Sequence, residues 1–224
     1  MARDFRERER QQVEWTPRTE LGRRVASGEV TSLDQIFDQG QRVLETEIID
    51  VLLPDLKDEV LEISNTQRMS ASGRKQKKKA VTIIGNRHGY ISVGVGKAPE
   101  ARDAVASSIV EGKKHLVRVP LGCGSWECRC GTQHSISQTA FGRNGTAEIT
   151  LKPAPRGVGI VAGTVARKVL ELAGVRDVWT FTKGRTRNPL NMALATIKAI
   201  DSLNRLKRGT KQEIATTATE TVQS

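Results

Sequence analysis

Val81-Thr-Ile83-Ile-Gly85-Asn-Arg-His-Gly89-Tyr-Ile91-Ser-Val93-Gly-Val95-Gly-Lys97 decides the fold of the first half of the chain. Val81 and Ile83 alternate with their neighbours, and Ile91, Val93 and Val95 repeat the pattern, so one face of each run is apolar. Period two predicts strands. Between them Gly85-Asn86-Arg87-His88-Gly89 supplies turn-forming residues. Working towards the N-terminus, Leu61 and Ile63 alternate with Glu62 and Ser64, which predicts a further strand. Ile48 to Leu53 is an apolar turn that stops at Pro54. Before it, Ser32 and Gln35 form a capping-box pattern ahead of Leu33, Ile36, Phe37, Val43 and Leu44 at helical spacing. Working towards the C-terminus, Pro99 opens a helix on which Ala101, Val105, Ser108, Ile109 and Gly112 share a face. Lys113, Lys114 and His115 favour the negative end of its dipole. Helix, three strands and helix make a compact α+β domain over residues 45–120.

A cysteine-bearing linker and first strand region follow, at 121–146. Ala147 to Leu151 reads as a strand, and Lys152-Pro-Ala-Pro-Arg156-Gly157-Val-Gly159 as a loop. A helix carrying Val161, Val165, Val169 and Leu172 comes next, with Gly174 at its C-cap. Val178 to Thr182 is a strand, and Leu190, Leu194, Ile197 and Ile200 mark a last helix. The second domain is therefore βαβα, over 147–206. Residues 1–44 form a charged extension with a short helix. Its first 24 residues, with seven Arg and five acids, read as a solvated arm or a segment that orders on a partner. Residues 207–224 are a polar, Thr-rich tail.

Charge limits the partners. Lys+Arg is 36 against Asp+Glu 25, a formal +11 over 224 residues, and such an excess attracts polyanions, of which nucleic acid is the common intracellular one. Aromatics at 4 % argue against large stacking platforms for single-stranded bases. No apolar run approaches the roughly 18 residues of a spanning helix, and MARDFRERER lacks the apolar core of a signal peptide. The chain reads as cytoplasmic, with no membrane partner.

The densest basic segment runs from Arg68 through Arg74, Lys75, Lys77, Lys78 and Lys79, six cations in twelve residues with no acid. Confined like charge repels itself unless an anion neutralises it, so the segment is either a solvated mobile loop or a hairpin tip that contacts phosphates. Arg87, His88 and Lys97 extend the patch on this reading. The acidic run Glu45 to Glu62 reads as a solvated face or a contact for a basic neighbour.

Gly157-x-Gly159-x-x-x-Gly163 opens a helix after a strand, a place suited to phosphate. It is not the dinucleotide fingerprint, whose third glycine falls one residue earlier, although Asp177 lies about 20 residues downstream as that fingerprint requires. Nor does it carry the Gly-Lys-Ser/Thr of a Walker loop. Pro155-x-Gly-x-Gly resembles the phosphate loop of small-molecule kinases, but Ile160-Val161-Ala162 stands where those have hydroxyl residues. Arg156 favours RNA backbone contact or tight packing; a nucleotide-binding enzyme using Gly157–Gly163 is the alternative. Cys123-x4-Cys128-x-Cys130-x3-His134 offers a full set of zinc ligand types. Cys-x-Cys is not the usual chelating spacing, so a reduced, unmetallated cluster stays open beside zinc. No nucleophile–His–Asp set or carboxylate pair stands out, and no small-molecule substrate is expected.

Gly89-Tyr-Ile-Ser-Val-Gly-Val-Gly-Lys97 lies within the helix–three strands–helix unit, and Leu151-Lys-Pro-Ala-Pro-Arg-Gly-Val-Gly-Ile-Val-Ala-Gly163, Leu170-Glu-Leu-Ala-Gly-Val-Arg-Asp-Val178 and Lys183-Gly-Arg-Thr-Arg-Asn-Pro189 follow it in order. Together they resemble the small-subunit ribosomal protein family numbered five in bacteria. The N-terminal extension, Gly122-Cys-Gly-Ser-Trp-Glu-Cys128 and the tail depart from the bacterial pattern and look archaeal or eukaryotic. The resemblance implies a double-stranded-RNA-binding-like first domain and a second domain with a left-handed βαβ crossover. It implies a place in the ribosome between head and body, bound to rRNA beside the proteins that bacteria number four and eight, with an influence on decoding accuracy. The basic segment between the first two strands would reach into rRNA, and Arg156, Lys183, Arg185 and Arg187 would add contacts from the second domain.

Overall fold

A computed structural model describes residues 15–128 and 130–204. The chain divides into two compact units, Met1–Leu116 and Val117–Ser224.

The first unit opens with three short helices: α1 (Glu20–Ala26), α2 (Leu33–Asp38) and α3 (Glu47–Leu52). Val25, Val30, Leu33, Ile36, Val43, Ile48, Ile49 and Leu116 form one buried cluster under them. From Trp15 on, the charged segment is thus not a solvated arm; residues 1–14 lie outside the described ones. The described part is tied down by Glu45, whose carboxylate accepts from Trp15 Nε1 (2.9 Å) and from the Arg18 and Thr19 amides (3.0 and 2.6 Å). Burial opposes ionisation of Glu45, but the hydrogen bonds from Thr19, Trp15 and Arg18 outweigh it and hold the carboxyl below its ordinary value of 4.5. The sequence reading carried helix α2 on to Leu44. Instead it ends at Asp38, Gly40 turns with φ +66°, and Val43 reaches the same core from an extended stretch. Ser32 stands at the N-cap without a side-chain capping bond.

Strands β1 (Lys57–Ser70), β2 (Gly73–Gly85) and β3 (Tyr90–Ala98) form an antiparallel meander. Helix α4 (Ala101–Lys114) packs on it by way of Ala104 and of Ser108 and Gly112 from the expected face, whose Ala101, Val105 and Ile109 are half-buried. The reason is backbone proximity. A Cβ at Gly94 would lie 1.8 Å from the Ser108 carbonyl oxygen, and one at Gly96 would lie 2.2 Å from that of Ala104. Thr82 donates to Ser108 Oγ and Ser92 to the Gly112 carbonyl, which satisfies the hydroxyls in this dry contact.

In the second unit β4 (Val117–Arg118) precedes a two-rung hairpin, β5 (Leu121–Gly122) with β6 (Ser135–Ile136). The main sheet has the order β7-β8-β10-β9, from β7 (Ala140–Asn144), β8 (Ala147–Pro153), β9 (Ile160–Val161) and β10 (Val178–Lys183). Helices α5 (Thr164–Ala173) and α6 (Pro189–Asn204) complete it. The βαβα run is present, with β7 and β9 added. Val161, expected on the helix, sits on β9 and pairs with Trp179, because α5 begins only after Gly163. The α5 C-cap is Gly174, left-handed at φ +89°. Helix α6 buries Met192, Ala195, Thr196, Ala199, Ile200 and Leu203, with Leu190, Leu194 and Ile197 only half-buried. Small residues are needed there, since a Cβ at Gly142 would come within 2.1 Å of the Ala195 carbonyl oxygen.

Candidate nucleic-acid interface and metal centre

The basic segment is a β-ribbon. Strand β3 ends at Ala98 opposite Lys78, but β1 and β2 continue for five further rungs, from Thr66↔Lys77 to Ser70↔Gly73. At about 3.4 Å per residue the extension is roughly 17 Å long. A loop was a natural expectation from Arg68 to Lys79, because polar residues mask period two. What makes it a strand pair is the backbone ladder and the tight turn at Gly73, whose φ of +114° suits glycine.

Pairing sorts the cations by face. Residues opposite one another project to the same side, so Arg68, Lys75, Lys77, Lys79 and Lys97 share one face, while Arg74 and Lys78 lie on the other. Arg68 stands directly opposite Lys75, and Lys79 opposite Lys97. Like charges in directly opposed positions destabilise a sheet, and no acid occurs between Ser64 and Lys79. Arg68, Arg74, Lys75, Lys77 and Lys97 are exposed, and Lys78 and Lys79 are half-buried at the base, where Lys78 Nζ donates to Asn65 Oδ1 at 2.6 Å. Arg87 and His88 do not extend this patch. They lie in the β2–β3 turn at the other end of β2, six residues beyond Lys79, or about 20 Å along the strand. Arg87 has φ 60°, and Asn86 Oδ1 holds the turn by accepting from the His88 and Tyr90 amides.

In the second unit Arg156, Lys183, Arg185 and Arg187 are exposed. Lys152 Nζ lies 4.8 Å above the centroid of the exposed Phe181 ring, a cation–π distance. The glycine loop is internally engaged. Asp177 Oδ1 accepts from the amides of Gly157 (3.0 Å) and Gly159 (2.8 Å), glycines with φ +95° and +75°. Those are the donors a phosphate would need, so the enzymatic reading fails at its central point. A ligand there would displace a buried carboxylate from its partners.

The other oxygen of the same carboxylate faces the cysteine stretch. His134 Nδ1 lies 2.8 Å from Asp177 Oδ2, and both residues are about 95 % buried. An ionised carboxylate only accepts, so Nδ1 carries the proton and Nε2 points away, 3.7 Å from Cys128 Sγ. The ligand atoms of Cys123, Cys128, Cys130 and His134 all lie within 4.8 Å of one another. Three backbone features hold the loop. Gly124 donates its amide to Ile136 and has no room for a Cβ, which would lie 2.0 Å from the Ser137 carbonyl oxygen; Cys128 donates to Ser125; Gly131 turns at φ +62°. Burial, with hydrogen bonds to Cys130 and Cys128, pushes the Cys123 thiol up to about 11. Hydrogen bonds from Thr132 bring Cys130 down to about 6. Trp126, at the loop tip, is 89 % exposed.

Comparison with known proteins bears on the whole chain. Residues 56–120 match the family description "Ribosomal protein S5, N-terminal domain" and residues 142–216 match "Ribosomal protein S5, C-terminal domain". "Small ribosomal subunit protein uS5" of Methanoregula boonei is 49 % identical over 199 residues, 89 % of this chain and 97 % of that protein. The protein of that name from Methanocaldococcus jannaschii is 50 % identical over 191 residues, 85 % of this chain and 88 % of its own. That from Aeropyrum pernix is 49 % identical over 186 residues, 83 % and 85 % of the two chains. The chain belongs to the ribosomal protein S5 family. It is a family of ribosomal structural proteins, not of enzymes. The S5 N-terminal match contains the whole ribbon, and the S5 C-terminal match contains the glycine loop and Asp177. The cysteine cluster falls between the two. Asp177 is the residue sequence reasoning left without a role; its signal was an acid between the buried Val175 and Val178, just ahead of β10. Among the described residues no helix is long and apolar enough to cross a membrane.

Proposed function

We propose that this chain is a structural component of the small ribosomal subunit that grips rRNA with the β1–β2 ribbon. The observation that carries the reading is the pairing of Arg68 with Lys75 on an acid-free, two-stranded extension and of Lys79 with Lys97 at its base. Such a face is destabilised alone and relieved by phosphates, which a ribbon can reach across a shallow groove without reading sequence. Arg156, Lys183, Arg185 and Arg187 act as a second set of contacts, and Arg87 as a separate one. The first domain, taken as 45–120, works as a double-stranded-RNA-binding-like unit, and the second, 147–206, has a left-handed crossover through β9, α5 and β10. Residues 15–44 and 121–146 belong to an extension and a linker added to that frame, while the start of the extension, at 1–14, and the tail expected at 207–224 lie outside the described residues. Family resemblance supports a cytoplasmic ribosome location between head and body, next to the proteins bacteria number four and eight, and a contribution to decoding accuracy.

The test is salt dependence. Purified chain is titrated with small-subunit rRNA across a salt series, and compared with an Arg74→Gln, Lys75→Gln, Lys77→Gln variant. Each phosphate contact removed lowers the slope of log K against log salt by about one. A slope unchanged in the triple variant would take the ribbon out of the interface.

A further inference from the structure

We propose that Cys123, Cys128, Cys130 and His134 bind one structural Zn²⁺ ion, and that Asp177 couples this ion to the Gly157–Gly159 loop. This stands apart from the RNA-binding reading and does not depend on it. Four donors of zinc's preferred kinds converge within 4.8 Å. A tetrahedral set with Zn–S near 2.3 Å needs donors about 3.8 Å apart, so small side-chain rotations close the shell. The backbone is built for it. The β5–β6 rungs Leu121↔Ile136 and Gly122↔Ser135 clamp the base of the loop, and Gly124 fits where no side chain would.

The second argument is the histidine. Metal-bound imidazoles generally donate their other N–H to a carboxylate, which fixes tautomer and ring orientation. His134 already does this with Asp177 inside the unit, leaving the Nε2 lone pair directed at the thiols. Its carbonyl is held too, by the amides of Arg176 and Asp177 at 2.9 and 3.0 Å. A disulfide explains the arrangement less well, since one bridge uses two sulfurs and gives His134 Nε2 no partner. The close grouping of donors suits a single ion better than a multi-iron cluster, and a closed shell of three thiolates and one imidazole suits a structural site without an open position. On binding, the cysteines that are still protonated release their protons to solvent and no electron is transferred.

Asp177 then has two tasks, one on each oxygen. Oδ2 orients the metal's histidine, and Oδ1 holds the Gly157 and Gly159 amides. An ion that fixes His134 therefore fixes the loop ahead of α5 as well.

The experiment uses the full-length chain, purified under reducing conditions, loaded with Zn²⁺ and freed of excess. Elemental analysis is expected to give one zinc and no iron per chain, and Co²⁺ loading is expected to give the intense visible bands of a tetrahedral thiolate site. Cys128→Ser and His134→Gln should lose the zinc. Asp177→Asn should keep it with affinity weakened about 10–100-fold, read by competition with a chromophoric chelator. Chelation of the parent chain should speed hydrogen exchange at the Gly157 and Gly159 amides. A parent chain that stays metal-free in Zn²⁺ solution, with three thiols still alkylated freely, would overturn the site; so would iron in place of zinc. Undiminished affinity in Asp177→Asn, or loop amides indifferent to chelation, would overturn the coupling. Should Cys128→Ser fail to fold, the Co²⁺ spectrum and the alkylation of the parent decide the question without it.

Discussion

Ser108 contributes both a carbonyl and a hydroxyl to the contact between α4 and the first sheet, and it is Gly94 that lets the helix come so close. Substituting Gly94 by Ala asks a methyl group to occupy backbone space 1.8 Å from an oxygen. Neither partner is a flexible side-chain end, so helix and strand must part. Overpacking of this kind costs typically 1–3 kcal/mol, and about 1 kcal/mol moves the melting temperature of a domain near 100 residues by roughly 4–8 °C. Gly94→Ala should therefore melt lower by around 10 °C. Gly163→Ala is the control, since its new carbon meets nothing within 4 Å, and its cost should stay under about 1 kcal/mol. Equal melting temperatures for the two variants would refute the close-packing account. At this scale the sequence is only partly readable. A glycine in a strand signals close approach or a bulge, but Gly94 and Gly85 look alike until the helix is in place. Asp177 posed the same difficulty, because its partners lie 43 and about 20 positions away in sequence.

The segment before α1 and the extended stretch after α2 meet through one carboxylate. Glu45 accepts from Trp15, Arg18 and Thr19 most strongly when ionised. Its folded value is depressed, so its stabilising effect is complete above 4.5 and is lost as pH falls through the lower folded value. Acidification below pH 4.5 should release Trp15 before the rest of the unit melts. A red shift in the fluorescence of a Trp126→Phe, Trp179→Phe background reports it. Glu45→Ala should show the released spectrum already at pH 7; a spectrum like the parent's would exclude the carboxylate as the tether. Long periodic elements such as α4 and β3 were legible because their apolar residues carry the period. Helix α1 was not, and α2 was legible at its start but not at its end, each being under eight residues and defined by what packs on it. The ribbon was hidden for the opposite reason: its ladder is made by the backbone while Lys, Arg and Gln carry no apolar alternation.

Over the whole molecule, charge and motif order told most about class, and tertiary contact told most about sites. The formal +11 pointed to a polyanion, but only strand register shows which cations act together. Lys97 joins Lys79 across 18 positions of sequence, whereas Arg87, nearer in sequence, belongs elsewhere. The glycine loop looked like a phosphate cradle until Asp177 was seen to fill it. Strand β1 has a consequence of another kind. It is the sheet's edge, 14 residues long, with one side of its backbone unpaired by β2. Exposed edges recruit strands from other molecules, and lysine-rich edges are a common defence. Beyond the end of β3, β2 is an edge as well, and its Arg74, Lys75 and Lys77 should act as gatekeepers against self-association. Neutralising Arg74, Lys75 and Lys77 should make the free chain prone to β-type aggregation, with thioflavin fluorescence and light scattering rising faster than for the parent at equal concentration. Identical behaviour of the two chains would confine these residues to RNA. If the gatekeeping and the proposed grip on rRNA both hold, adding rRNA to the parent titrates away the same repulsion but covers the edge as it does so, making the nucleic acid a chaperone for the strand.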